Sequence, residues 1–227
     1  MDSLSLVSEP KQTSAHAGLD RRLDRFSAYV KPDLVSYDMG NESAFDDIAQ
    51  YMTTLHSQLG TLPEYQSAMQ SVSLESHESW RSHSLHHDEK LKAGFLRVEA
   101  GQSLPLHDHP NSFGIMLVIS GRLQLKQFTR VIEPYARLAR LAEHSDVLLE
   151  KGDCSILCPV YGNVHTLQSF EQPVIVLDLI ISNSYAEERH WYVPVMEANT
   201  ADGEILATEI AKSAQPLQVS SAQRVAV

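Results

Sequence analysis

The sequence predicts an all-β core, a sandwich or a barrel, carried behind a set of N-terminal helices. Three observations lead there. Between Leu19 and Val72 the apolar residues recur at three- and four-residue spacing, the period of a helix face. From Trp80 onward the apolar runs become short, alternate or turn wholly apolar, and are bounded by Gly and Pro. The chain has 227 residues, of which 43% are hydrophobic and 21% charged, enough to bury a sizeable core.

The elements follow in order. Residues 1–18 are polar and Ser-rich, with Pro10 and Gly18, and read as a flexible arm. Leu19, Leu23, Phe26 and Val30 mark one face of a first helix. Asn41 is the expected N-cap of a second, with Ala44, Phe45, Ile48, Ala49, Met52 and Leu55 on one side and Gly60 at its end. Leu62 to Val72 reads as a third, short helix with Pro63 in its first turn. Residues 19–75 are thus expected to form a helical extension packing on a core at 76–211.

In that core the expected strands are Ala93–Glu99, Gly114–Ser120, Leu123–Phe128, Asp146–Glu150, Cys154–Cys158, His165–Ser169 and Val174–Ile181. The polar stretch 130–144 reads as an insertion loop, with a helical turn at Ala136–Ala142. A strand from Trp191 to Met196, a turn at Gly203 and a partner strand at Glu204–Ile210 complete it. Residues 212–227, rich in Ser, Ala and Gln, read as a disordered tail. No internal repeat is seen.

Composition narrows the function. Lys plus Arg number 18 and Asp plus Glu 29, so the formal charge is 18 − 29 = −11. A binder of phosphate backbones needs clustered cations, so nucleic acid is excluded as a partner. No apolar run is long enough to span a membrane. The N-terminus lacks the basic start and apolar core of a signal peptide, and the chain has only two cysteines. Both point to a cytoplasmic protein, expected as a monomer or weak homodimer. Eleven histidines stand out.

Two segments carry the chemistry. The first is G-Q-S-L-P-L-H-D-H-P-N-S-F-G-I-M-L-V-I-S-G, from Gly101 to Gly121. His107 and His109 lie two apart, so on an extended backbone both imidazoles face the same side and reach one metal ion. Pro105 and Pro110 stiffen the pair. The second is G-D-C-S-I-L-C-P-V-Y-G-N-V-H, from Gly152 to His165, which brings a third imidazole to the start of a strand. Cys154 and Cys158 share one face of their strand and are expected to pack in the core. His77, His83, His86 and His87 have polar flanks and are read as solvated surface on an edge strand and turn.

This layout resembles the two motifs of the cupin superfamily, whose fold is a double-stranded β-helix, or jelly-roll, barrel. The Glu that cupins commonly carry four or five residues after the second His is absent, since those positions hold Phe113 and Gly114. Three neutral imidazoles leave a divalent ion its full charge and open positions, which favours an anionic ligand such as a thiolate. Ligand count alone leaves iron and zinc both open.

The flanks are more specific. S-L-P-L-H-D-H-P, the G-N-V-H element at 162–165 and the strand V-I-V-L-D-L-I running toward Tyr185 resemble the cysteamine dioxygenase and plant cysteine oxidase family. R-H-W-Y at 189–192 falls where that family has an aromatic-rich segment. The resemblance spans roughly residues 80–197. Asn111-Ser112 departs from it, and no Cys near Trp191 offers a partner for the Cys–Tyr crosslink of some relatives.

The resemblance implies non-haem Fe(II) on His107, His109 and His165, with Ni or Zn as substitutes in a recombinant sample. It implies a thiol and O2 as substrates and a sulfinate as product. The thiol would be cysteamine, cysteine or the N-terminal Cys of a peptide. Asp178 and Tyr185 are the implied catalytic residues. These two and Tyr192 are the implied substrate contacts. Asp178 within an apolar strand would be costly without a partner. The competing readings are another cupin metalloenzyme, an isomerase or ring-cleaving dioxygenase, and a non-catalytic cupin that binds a small ligand.

Overall fold

The computed structural model describes residues 17–75, 77–131, 138–182, 189–195 and 204–211. Tyr185, the tail at 212–227 and residues 1–16 of the arm expected at 1–18 lie outside them, while Ala17 and Gly18 belong to the first helix. Three helices come first: α1 (Ala17–Asp38), α2 (Ala44–Leu59) and α3 (Pro63–Ser73). Eleven strands follow: β1 (Trp80–His87), β2 (Leu91–Val98), β3 (Ser103–His107), β4 (Ser112–Ser120), β5 (Arg122–Val131), β6 (Ala139–Glu150), β7 (Cys154–Leu157), β8 (Val164–Ser169), β9 (Val174–Ser182), β10 (His190–Pro194) and β11 (Glu204–Ala211). The fold is a cupin double-stranded β-helix with N-terminal helices.

The strands form a five-stranded sheet in the order β1-β2-β9-β4-β7 and a closed six-stranded ring, β10-β11-β6-β5-β8-β3. Side-chain alternation assigns the two faces of the first sheet. In β9, Leu177, Leu179 and Ile181 pack with the helices, while Val174 and Val176 join the interior between the sheets. β4 divides likewise, with Ile115 and Leu117 toward the helices and Met116 and Val118 inward. A strand buried on both faces reads as a continuous apolar run, which is why VIVLDLII does so. Each side chain so buried contributes about 1.5–3 kcal/mol.

The helices cover the outer face. Leu19, Leu23, Phe26, Val30 and Leu34 of α1 are buried, and the periodicity carries the helix to Asp38, past the expected end at Val30. Pro32 lies inside α1, where its ring removes one backbone donor. α2 begins at Ala44 with Ser43, not Asn41, at the N-cap, and Ser43 makes no side-chain cap bond. Asn41 instead accepts from the Ser43 hydroxyl at 2.7 Å and donates to Ser36 Oγ at 2.9 Å.

The expected insertion at 130–144 is corrected. β5 runs through Arg130 to Val131, and β6 begins at Ala139, so no helical turn occupies 139–142; residues 132–137 lie outside the described set. Pairing decides this. Arg140–Ala142 pair with β5 on one side and Ala139–Ala142 with β11 on the other, with Ala139 and Leu141 buried and Arg140 half-buried between them. The local polarity of that stretch belongs to its outer face. Gly121, in the β4–β5 turn, needs its left-handed φ of 83°, and a Cβ there would sit 2.5 Å from the Pro173 carbonyl.

Candidate metal centre

β3 ends in His107, which pairs in register with His165 of β8 on one side and Trp191 of β10 on the other. His109 follows where the chain leaves β3. The fold therefore closes the distance between two segments more than fifty residues apart and brings the three sequence-predicted imidazoles together. Ring centroids lie 5.2 Å apart for His107 and His109, 4.1 Å for His107 and His165, and 5.4 Å for His109 and His165. One ligating nitrogen from each lies within 4.8 Å of the others.

Hydrogen bonds orient the rings. His107 Nδ1 donates to the Pro105 carbonyl at 2.8 Å, and His165 Nδ1 to the Asn163 carbonyl at 2.8 Å. Each bond fixes the tautomer that leaves Nε2 with its lone pair. His109 is held through its backbone: its N–H donates to Asn163 Oδ1 at 2.7 Å, and its carbonyl accepts from Asn163 Nδ2 at 3.1 Å. Asn163 also donates to the Cys158 carbonyl at 3.2 Å.

Burial keeps the rings neutral. It pushes His107 and His109 well below the ordinary histidine range, aided by the neighbouring imidazoles and by Arg189. His165 falls to about 4, again through burial, with Arg189 adding and the Asn163 carbonyl opposing. Three buried, neutral, convergent imidazoles fit a divalent transition metal, which needs lone pairs. The donor set accepts iron, zinc or nickel.

The triad opens into a cavity of about 510 Å³. Asp178 reaches it from the middle of β9, where it stands opposite Gly94 and Met116 in the neighbouring strands. Burial raises its carboxyl to about 6, and Arg189 opposes that rise. Arg189 also lines the cavity. Its Nη2 donates to His109 Nε2 at 3.4 Å, and its guanidinium lies 5.5 Å from the Trp191 ring centre. Sequence reasoning passed over Arg189, whose signal was a cation beginning the aromatic segment at 189–192. It also gave no role to Asn163 or Asp108.

Tyr192, an expected substrate contact, does not line the cavity. It is 1% exposed, and its hydroxyl donates to Asp108 Oδ2 at 2.8 Å. Asp108 further accepts from the His190 backbone N–H at 2.8 Å, so it ties β10 to the turn between His107 and His109. The solvated-surface reading of the second histidine cluster is corrected in part. His77 and His87 are exposed, but His83 and His86 are half-buried, and β1 sits at the cavity wall through His83, His86 and His87. The two nitrogens of His86 bond Asp20 at 2.8 Å and Asp88 at 3.2 Å. Cys154 and Cys158 pack toward the helices as free thiols, both pushed up to about 12 by burial, with Asp38 adding at Cys158.

Residues 48–220 match the family model PCO_ADO, the cysteine and cysteamine dioxygenase family, so most of the chain is covered. The chain belongs to that family. A comparison with curated proteins finds no significant match.

Among solved structures, an uncharacterized protein with a double-stranded β-helix domain from Klebsiella pneumoniae is similar at 19% identity and a TM-score of 0.40. That likeness covers 52% of this chain and 94% of the other. A cupin superfamily protein from Desulfitobacterium hafniense gives 12% identity and a TM-score of 0.36, over 48% and 84% of the two chains. A Schizosaccharomyces pombe cupin domain gives 14% and 0.38, over 49% and 70%. Likenesses of this size assign no activity. No helix among the described residues is long and apolar enough to cross a membrane.

Proposed function

We propose that this chain is a non-haem Fe(II) thiol dioxygenase, acting on a small aminothiol such as cysteamine or cysteine, or on the N-terminal Cys of a peptide. The observation that carries the reading is the buried triad of His107, His109 and His165 without a carboxylate ligand, within a chain of the thiol dioxygenase family. Iron(II) bound there would supply the chemistry that joins both atoms of O2 to a thiol sulfur, giving a sulfinate.

The chain's own residues do the rest. His107 and His165 present Nε2 because backbone carbonyls hold Nδ1. Leu104, Met116, Leu167 and Trp191 line the cavity and keep water from the sulfur. Asp178 is the partner for a substrate ammonium, and a cation beside it would bring its carboxyl down toward the ordinary range. Tyr185 is retained as a catalytic and substrate-binding residue on the family resemblance alone. Tyr192 holds Asp108, so its expected part in binding substrate becomes indirect. Two buried, unbridged cysteines favour a reducing, cytoplasmic setting.

The test is anaerobic loading with Fe(II), then oxygen consumption and product mass with cysteamine, cysteine, 3-mercaptopropionate and N-terminal-Cys peptides. Consumption matched by a sulfinate that has gained both oxygen atoms supports the reading. Absence of turnover with every thiol overturns it.

A further inference from the structure

A second group of metal-ligating side chains lies where the helical cover meets the cavity wall. His86 of β1, Asp88 of the β1–β2 turn and Asp24 of α1 each bring one ligand atom within 4.8 Å of the others. Asp20, one turn before Asp24 on α1, contacts the other nitrogen of the same ring. The group draws on three separate parts of the chain and shares no residue with the triad.

The imidazole is set as metal-ligating histidines are set. Its Nδ1 meets Asp20 Oδ1 at 2.8 Å, the carboxylate contact that fixes the tautomer with a lone pair on Nε2. That Nε2 lies 3.2 Å from Asp88 Oδ2. Ligands held about 2.1 Å from a tetrahedral ion stand about 3.4 Å apart, so this pair already has the spacing of two ligands on one ion. Asp88 is held still, because its Oδ1 accepts from the backbone N–H of Lys90 and of Leu91, both at 2.7 Å, which leaves Oδ2 to the ring. A β-bulge between Ser84 and His86 breaks the alternation of β1, so Leu85 and His86 both turn to the helices. Leu85 packs against the helical core, and His86, with its side chain 11% exposed, reaches Asp20.

The charges call for more than a proton. With Nδ1 donating to Asp20, a neutral ring turns its Nε2 lone pair on Asp88. A proton at Nε2 relieves that contact in metal-free protein, but three carboxylates then share one positive charge. Asp24 makes no hydrogen bond or ion pair among the described residues, and like charges one turn apart on a helix repel. Arg22, between Asp20 and Asp24 in sequence, donates to the Gln58 carbonyl at 2.7 Å.

We infer that His86, Asp88 and Asp24 form a second metal site, for a divalent first-row ion such as Zn(II), with Asp20 holding the imidazole from behind. One nitrogen and two carboxylate donors suit such an ion, and exposed Asp24 needs only a small rotation to close on it. The ion pins α1 to the β1–β2 turn and so fastens the helical cover to the cavity wall. The inference does not rest on the thiol dioxygenase reading.

The experiment titrates chelator-treated full chain with Zn(II) by calorimetry at about pH 8, where an ordinary histidine is free of its proton. The native chain is expected to take two zinc ions, the second raising Tm, and His165→Ala should keep the step that belongs to the second site. Asp24→Asn is the deciding variant. Asp24 is exposed and unbonded, so the metal-free variant should melt as the native chain does. Its second step should nevertheless weaken by at least about tenfold, and its zinc-induced rise in Tm should vanish. Asp20→Asn should weaken the same step by about tenfold through the loosened ring. Glu89→Gln, which removes an exposed carboxylate from the same turn but outside the group, should change neither quantity. A native chain that takes no second ion, or an Asp24→Asn chain that binds it unchanged, overturns the inference. A loss as large in Glu89→Gln also overturns it, since the ion would then be adventitious on an acidic surface.

Discussion

Asn163 carries more of the candidate site than its single side chain suggests. It clamps both backbone polar groups of His109 and also the Cys158 carbonyl, so one amide joins the segment of the first two histidines to the loop before the third. Asn163→Ala should leave these groups unpaired in a half-buried place and cost about 2 kcal/mol. Metal affinity should fall by about 10-fold or more through the loosened His109. Thermal denaturation and a metal titration measure the two effects separately.

Asp178 makes a prediction of opposite sign. Burial raises its carboxyl from 3.8 to about 6, so the folded state disfavours the charged form. Its contribution to stability is therefore fully present below about pH 4 and lost as pH rises through 6. Asp178→Asn should stabilise the chain by about 2–3 kcal/mol at pH 8 and by less at pH 5. Denaturant melts at the two values check this, and an unchanged difference would contradict the burial argument. At this scale the histidines were legible because H-x-H and G-N-V-H are local patterns. Arg189 was not, because its place between His109 and Trp191 at the cavity wall emerges only in the folded chain.

At the scale of elements, the helices are secured to the sheet by apolar packing and by polar straps from Lys31, Arg81, Arg97 and His86. His86 of β1 joins Asp20 of α1 and Asp88 of the β1–β2 turn. Burial lowers its pKa, but the bonds to Asp20 and Asp88 outweigh that, and the net shift is upward. A raised histidine contributes stability that is fully present below its unfolded pKa and lost as pH rises through the folded value. The drop in Tm caused by His86→Ala should accordingly be larger at pH 6 than at pH 8. A drop independent of pH would mean the ring serves by packing alone. Helix positions were readable from the 3.6-residue period, and the covered strands from their continuous apolar runs. Only the second half of β6, Asp146–Glu150, was readable; its first half was not, since that half carries polar residues outward and its path is set by pairing with β5 and β11. Asn41 failed as a cap for a related reason: its side chain is spent on Ser36 and Ser43.

At the scale of the molecule, the architecture separates support from chemistry. The helices fill the outer face of the five-stranded sheet, and the cavity with its triad lies on the inner side. This division follows from alternation along β9, where Leu177 and Leu179 face the helices and Asp178 between them faces the cavity. The charge of −11 belongs to the whole chain, whereas the cavity is lined by the three neutral imidazoles together with Asp178 and Arg189. Composition therefore describes the chain as a whole and not the site. The central claim is that His107, His109 and His165 together hold the metal that oxidises a thiol. Its most direct test is iron content and product mass, measured in parallel on the native chain and on His165→Ala. One iron per chain and a sulfinate carrying both oxygen atoms are expected for the native protein, with both lost in the variant. A variant that keeps stoichiometric iron and still makes sulfinate would contradict the account.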